Sequence, residues 1–131
     1  MGSPVMSVLA DTHALRWWLD GSGTLSPAAR QIFASTEEII VSAVVPWELA
    51  IKTRTGKLNV EPLLQGWHEM IDAQRFKEAP IDADLGIRAG LLPLHHRDPF
   101  DRMLVAQAHL LGCPIISADI VFDRYGVRRI W

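Results

Sequence analysis

The feature that most constrains the fold is a short apolar segment followed directly by a segment with helical spacing, a pattern that recurs along the chain. Residues 5–10 precede a helical segment that runs to Leu19, and residues 38–42 precede another at 44–55. A third apolar segment, 115–117, follows a helical segment at 99–111. Strands and helices in alternation predict an α/β fold, a three-layer α/β/α sandwich around a mostly parallel sheet.

The remaining elements follow from helix caps, prolines and apolar spacing. We expect helices at 28–34 and 61–74 and a helix that Asp82 caps and that runs through Leu92. A strand at 76–81 contains Pro80, which places it at or near a sheet edge. A last strand is expected at 127–130. In the helix at 44–55, the spacing predicts an apolar side that includes Val44, Trp47 and Ile51.

Length and composition set the broad class of the protein. The 131 residues fit a single domain over 1–131, in which residues 1–4 are either an N-terminal extension or a cloning remnant. The lone cysteine, Cys113, lies in an apolar segment, which predicts a buried, reduced thiol. Since the sequence contains neither an apolar run of membrane-spanning length nor a secretion signal, we expect a cytoplasmic protein without membrane contact.

Acidic residues stand where an α/β fold places its ligands. Asp11 directly follows the first apolar segment and Asp119 closely follows the third, so both are expected at the carboxyl edge of the sheet. Glu48 lies one turn into the helix at 44–55. From the sequence alone, Asp11 could equally be a helix cap, and Glu48 could equally form a surface ion pair with Lys52.

The helix at 99–111 begins with two more acids. Asp98 before Pro99 predicts an N-cap with proline at the first helical position. Asp101 then falls in the first turn, where the helix dipole favours a negative charge. Capping alone would explain both residues, so a further role for Asp101 depends on which other carboxylates the fold brings to it.

Four of these acids could meet in one pocket, and we call them the carboxylate quartet: Asp11, Glu48, Asp101 and Asp119. Without a cation such a cluster is unfavourable, because like charges resist joint ionisation. Oxygen ligands without cysteine or histidine favour Mg²⁺ or Mn²⁺ over zinc. Acid-held cations of this kind suit phosphodiester hydrolysis, and they would offset the net charge of −2, which gives no general attraction to a polyanion.

Two other groups of residues are ambiguous. Lys52, Arg54 and Lys57 concentrate positive charge near Glu48, which indicates either a solvated basic face or a patch that steers phosphates. His95 and His96 are adjacent in the chain and have no His or Cys partner at zinc spacing. We therefore expect them to be surface residues of a loop.

The ordered set of motifs resembles the PIN-domain ribonucleases, and more narrowly the VapC toxins of bacterial type II toxin–antitoxin systems. The resemblance covers almost the whole chain. Each motif alone is weak, whereas the four in this order are specific. They are Asp11-Thr12-His13 after a strand, Pro46-Trp47-Glu48 with Lys52 and Gly56-Lys57-Leu58, Asp98-Pro99-Phe100-Asp101-Arg102 with Leu104 to Ala108, and Ser117-Ala118-Asp119 with Phe122-Asp123 and Tyr125-Gly126-Val127.

The resemblance implies a function as well as a fold. It implies that the carboxylate quartet holds Mg²⁺ or Mn²⁺, and that Thr12 and Ser117 help to order ligands or water. It further implies endonucleolytic cleavage of RNA, a homodimer, and neutralisation by a cognate VapB antitoxin that lies in an apolar groove. Asp123 is an additional acid to which the resemblance assigns no part.

Two other functions are compatible with parts of the pattern. A haloacid-dehalogenase-type phosphatase also begins with a strand and an aspartate, but it needs a second acid where this chain has His13. A PIN-like fold could also serve only as a binding module. The presence of all four acids argues against that alternative, because a degraded site would be expected to lack at least one.

Overall fold

In a computed structural model, which describes residues 6–35 and 37–131, the chain forms a five-stranded parallel sheet surrounded by helices. The strands are β1 (Ser7–Ala10), β2 (Glu38–Ser42), β3 (Lys77–Ala79), β4 (Ile115–Ile116) and β5 (Arg129–Ile130). The helices are α1 (Thr12–Leu19), α2 (Pro27–Ala34), α3 (Val44–Arg54), α4 (Glu61–Gln65), α5 (Trp67–Gln74), α6 (Ala83–Leu91), α7 (Pro99–Leu111) and a 3₁₀ helix, Ile120–Tyr125.

The strand order, β3-β2-β1-β4-β5, confirms the predicted α/β architecture. All four pairs of neighbouring strands are parallel. From β1 the chain adds β2 and then β3 on one side, and it returns to add β4 and β5 on the other side of β1. Because the crossovers on the two sides run in opposite directions and are right-handed, the helices cover both faces of the sheet. The reversal lies between β1 and β4, and crevices at such a reversal are the usual ligand sites of open parallel sheets.

The central strand anchors the core. Val8, Leu9 and Ala10 in β1 are fully buried, as expected for a strand covered on both faces. Leu104 of α7 is also fully buried, and Phe122 of the 3₁₀ helix is 1% exposed. The segment with the candidate acid Asp119 is therefore packed into the same core as β1.

Three predicted elements differ most from the structure in their bounds, and one of them is the last strand, predicted over 127–130 and reduced to β5. The predicted helix 61–74 is two helices, because the Gly66 amide bonds back to Pro62 O and ends α4, while Gly66 O accepts the Met70 amide and begins α5. Glycine has low helix propensity, which accounts for the break. The predicted edge strand 76–81 is confirmed at the edge but shortens to β3. Val5 of the predicted first strand and residues 1–4 lie outside the described residues.

The predicted apolar side of α3 is correct for Val44, which is 2% exposed, and wrong for Trp47 and Ile51. Trp47 is 61% exposed and Ile51 is 38% exposed, whereas Val45 and Leu49 are completely buried. The buried side of α3 also carries Glu48, so the helix turns a carboxylate inward and a tryptophan outward. Apolar spacing misassigned this face because it counts Trp47 as a core residue and Glu48 as a surface residue.

Two simpler expectations concern Cys113 and membranes. Cys113 is buried and unpaired, and burial raises the pKa of its thiol, which agrees with the predicted inert thiol. Within residues 6–35 and 37–131, none of the helices combines the length and apolarity that crossing a membrane requires.

Candidate active site

Asp11 and Ser117 stand side by side at the carboxyl ends of β1 and β4. The register pairs Ala10 with Ile116, and the Asp11 amide donates to Ile116 O at 3.1 Å. Asp11 also caps α1, since its Oδ1 accepts the Ala14 amide at 2.7 Å. Both readings of Asp11 from the sequence are therefore compatible: it is a helix cap, and it lies at the edge where the sheet places ligands.

Ser117 joins two members of the carboxylate quartet. Its side chain is fully buried and hydrogen-bonds the Asp11 carboxylate, while its Oγ accepts the Asp119 amide at 2.9 Å. Asp119 itself is exposed and caps the 3₁₀ helix through the Val121 amide at 3.0 Å. Through Ser117, the turn that carries Asp119 is tied directly to Asp11.

Glu48 is 3% exposed, although its sequence spacing fits a surface ion pair. Its Oε1 accepts the Thr12 hydroxyl at 2.7 Å, and its Oε2 lies 2.6 Å from Lys52 Nζ. The predicted pair with Lys52 is present, but it neutralises a buried carboxylate. Thr12 directly follows Asp11, so α1 and α3 hold these two acids near each other.

Asp101 lies in the first turn of α7, where Asp98 is the cap, as predicted. Asp98 Oδ1 accepts the amides of Phe100 at 2.8 Å and Asp101 at 3.4 Å. The Asp101 carboxylate makes a different contact: its Oδ2 lies 2.7 Å from His96 Nε2. The two acids at the start of α7 therefore have different partners: the Asp98 carboxylate accepts backbone amides, and the Asp101 carboxylate contacts another side chain.

Burial raises the pKa of two quartet members. The pKa of Asp11 rises to about 6, chiefly through desolvation and further through repulsion from Asp119 and Glu48, against the hydrogen bonds from Ser117 and Ala14. Desolvation also raises the pKa of Asp101 to about 6, with added repulsion from Asp98 and Asp11 and an opposing effect of His96. Mutual repulsion of this kind is what a bound cation would relieve.

The quartet members influence one another but do not form a closed ligand cage. Among the residues that the structure describes, one group brings three potential ligand atoms within 4.8 Å of one another, and it consists of His96, Asp98 and Asp101. Asp11 and Asp119 come from the segments that follow β1 and β4, Glu48 from the second turn of α3, and Asp101 from the first turn of α7. Their donor set is entirely oxygen, which fits a hard divalent cation, and His96 adds one nitrogen beside it.

Asp123 has a partner that its sequence position did not reveal. Arg129 of β5 holds it through Nε–Oδ1 at 3.1 Å and Nη2–Oδ2 at 3.4 Å. Arg129 Nη1 also donates to Ser117 O at 3.2 Å. Asp123 therefore braces the turn between Ser117 and the 3₁₀ helix.

His96 is the residue that the sequence analysis missed. It lies in the predicted loop but is half-buried rather than a plain surface residue. The signal was its position five residues before Asp101, which becomes informative only once the loop conformation is known. The predicted substrate-binding residues are Thr12, Lys52, Arg54 and Ser117, and His96 was not among them. Thr12 and Lys52 contact Glu48, Ser117 contacts Asp11, and Arg54 is exposed on α3.

Comparison with known proteins agrees with this architecture. The family model described as "PIN domain" matches residues 8–128. Ribonuclease VapC22 of Mycobacterium tuberculosis is 27% identical over 114 residues, which cover 86% of this chain and 87% of that protein.

Two solved structures share the fold at low sequence identity. The DNA-bound VapBC of Salmonella typhimurium matches with a TM-score of 0.66 and 16% identity, over 95% of this chain and 97% of that one. VapBC2 of Rickettsia felis, bound to a promoter DNA fragment, matches with a TM-score of 0.65 and 14% identity, over 96% and 100% of the two chains. Since the family model spans nearly all of the sequence, the chain belongs to the PIN domain family.

Proposed function

We propose that this PIN-domain protein is a metal-dependent endoribonuclease, the toxin of a toxin–antitoxin system. The observation that carries the proposal is the carboxylate quartet, which reaches one edge of the sheet from four separate elements. Repulsion from Asp119 and Glu48 raises the pKa of Asp11, and repulsion from Asp11 raises the pKa of Asp101. The similarity to a protein named ribonuclease VapC22 and to chains of VapBC complexes supports RNA as the substrate and a VapB-type antitoxin as the partner.

Asp11, Glu48, Asp101 and Asp119 would hold the cation, Mg²⁺ or Mn²⁺. When bound, such an ion lowers the pKa of water at the site and stabilises charge on the scissile phosphate. Three of the four acids are held by contacts from this chain: Asp11 by Ser117 and the Ala14 amide, Glu48 by Thr12 and Lys52, and Asp101 by His96. These contacts fix the carboxylates before RNA arrives, which reduces reorganisation during the reaction.

The basic residues near Glu48 serve different purposes in this proposal. Lys52 neutralises Glu48 directly, so it reaches RNA only if that pair opens. Arg54 and Lys57 are exposed and remain free to attract phosphates, which a protein of net charge −2 needs near its active site. We further propose that the protein works in the cytoplasm as a homodimer and that its VapB-type antitoxin binds this form.

The test is cleavage of RNA by the purified, antitoxin-free protein with Mg²⁺ or Mn²⁺, in the presence and absence of EDTA. Asp11→Asn and Asp101→Asn should each lower the cleavage rate at least a hundredfold, because each removes a charge from the cation site. Asp72→Asn, an equivalent change at an exposed position of α5, is the matched control and should cleave normally.

Four results would contradict the proposal. Full cleavage in EDTA would show that the reaction needs no metal, and full cleavage by either variant would overturn the assignment of the metal-binding residues. No cleavage of total cellular RNA by the wild-type protein, with the metal present, would favour a PIN fold that only binds its partners. Release of phosphate from small phosphate esters instead of RNA cleavage would favour the phosphatase alternative.

A further inference from the structure

His96 lies against the candidate metal site although it belongs to the loop between α6 and α7. Its Nε2 is 2.7 Å from Asp101 Oδ2, and its side chain is 29% exposed against 22% for Asp101. With Asp101 ionised, Nε2 carries the proton and donates to the carboxylate. This contact occupies one carboxylate oxygen of Asp101 and leaves Oδ1 available to a cation.

The backbone of His96 is held on both sides, so this contact does not depend on a loose loop. Its amide donates to Tyr125 Oη at 2.9 Å, and the same hydroxyl donates to Pro93 O at 2.6 Å. Arg102 Nη1 approaches His96 O at 3.4 Å from the second turn of α7. The imidazole is thus presented to Asp101 from a backbone that is fixed to the 3₁₀ helix and to α7.

The neighbouring groups leave His96 as the side chain that orients Asp101. Asp98 Oδ1 is already used by two amides at the start of α7, so its role is to cap the helix. Asp101 would otherwise be free to rotate about its side-chain bonds in the first turn. A hydrogen bond from a fixed imidazole to one oxygen selects one of those rotamers.

We propose that His96 is a positioning residue of the metal site: it holds Asp101 Oδ2, and Oδ1 would be the oxygen left to a cation. This inference rests on the proposed function, since it requires Asp101 to be a metal ligand. Groups that orient a ligand typically change metal affinity by 10- to 100-fold when they are removed. His96 therefore acts through Asp101 and does not itself touch the RNA.

The experiment measures the dissociation constant of Mn²⁺ by electron paramagnetic resonance on the full-length, EDTA-stripped protein without RNA. His96→Ala should weaken Mn²⁺ binding about tenfold. His96→Gln should recover most of the affinity, because its amide nitrogen can occupy the position of Nε2 and donate to Asp101. His95→Ala is the matched control, since His95 is the adjacent exposed histidine and packs edge-on against Tyr125.

Each result bears directly on the proposal. Unchanged Mn²⁺ affinity in His96→Ala would overturn it, even if the thermal midpoint fell, because the contact would then be only structural. Equal weakening in His96→Gln and His96→Ala would also overturn it, since an imidazole that must be present is a ligand and not a positioning group. If His95→Ala weakens Mn²⁺ binding as much as His96→Ala does, the effect comes from a disturbed loop, and the specific role of His96 is wrong.

The readout separates this inference from the proposed function. If the protein binds Mn²⁺ in a His96-dependent way but cleaves no RNA, the positioning role is supported and the proposed ribonuclease activity is wrong. If the protein cleaves RNA with Mn²⁺ but its His96 variants bind the ion normally, the proposed function stands and the positioning role of His96 is wrong.

Discussion

The two halves of the carboxylate quartet are built in opposite ways. Asp11 and Glu48 are buried at the start of α1 and inside α3, and each is engaged by fixed groups of the core. Asp101 and Asp119 are more exposed, and they depend on the loop before α7 and on the turn after β4. The buried half should therefore govern stability, and the exposed half should govern how the site closes on a ligand.

The largest effect is expected from breaking the Glu48–Lys52 pair. Lys52→Met leaves a carboxylate that is 3% exposed with only Thr12 as its partner, which should lower the free energy of unfolding by about 3 kcal/mol. Urea denaturation measures this loss. Lys57→Met removes the same charge from an exposed position and should cost under about 0.5 kcal/mol, so equal losses in the two variants would contradict the buried role of Lys52.

A smaller effect of opposite sign is expected at Asp11 in metal-free protein. Since burial raises the Asp11 pKa from 3.8 to about 6, the folded state binds the proton more tightly than the unfolded state, and stability falls as pH rises through this window. Asp11→Asn keeps the cap and removes the charge, so at pH 7 with EDTA it should raise the free energy of unfolding by about 2 kcal/mol.

The pH dependence checks the sign of the Asp11 prediction. The gain from Asp11→Asn should be nearly absent at pH 4, where Asp11 is protonated in the folded protein, and should reach a plateau above pH 7. Asp119→Asn provides the comparison, because Asp119 is exposed and should show no comparable gain. A gain that is independent of pH would mean that the charge of Asp11 is not its source.

Ser117→Ala tests the connection between the two halves. The variant removes a hydrogen bond to Asp11 and the acceptor of the Asp119 amide, which should cost about 1 kcal/mol. It should also move the Asp11 pKa further upward, so that metal-dependent cleavage reaches its plateau at a higher pH. A pH–rate profile checks this, and a profile identical to that of the wild type would contradict the role of Ser117.

The smallest effect on stability is expected at Asp123. Its side chain is 54% exposed, so the pair with Arg129 should contribute under about 0.5 kcal/mol. Asp123→Asn should therefore unfold like the wild type, while hydrogen exchange in the turn after Ser117 becomes faster. Arg124→Gln changes a neighbouring exposed charge and should leave exchange there unchanged.

The sequence predicted the elements whose signals are local. The bounds of β2 (Glu38–Ser42) and α7 (Pro99–Leu111) agree with the prediction, because an apolar run and an Asp-Pro start are complete within a few residues. Parallel strands and right-handed crossovers also predicted that Asp11 and Asp119 would lie at the same edge of the sheet.

The features that sequence reasoning missed depend on contacts between distant segments. The inward direction of Glu48 is favoured by Thr12, 36 residues earlier in the chain. His96 meets Asp101 only because Tyr125, 29 residues later, fixes its backbone. Neither contact leaves a periodic pattern, so spacing alone favoured a surface glutamate and a surface histidine.

The Tyr125 hydroxyl carries one more consequence, because it accepts from the His96 amide and donates to Pro93 O. These two hydrogen bonds and the packing of His95 on Tyr125 join the loop before α7 to the 3₁₀ helix that Asp119 caps. A movement of one segment should therefore shift the other. When a ligand binds, Asp101 and Asp119 should therefore shift together relative to Asp11 and Glu48, which the core holds in place.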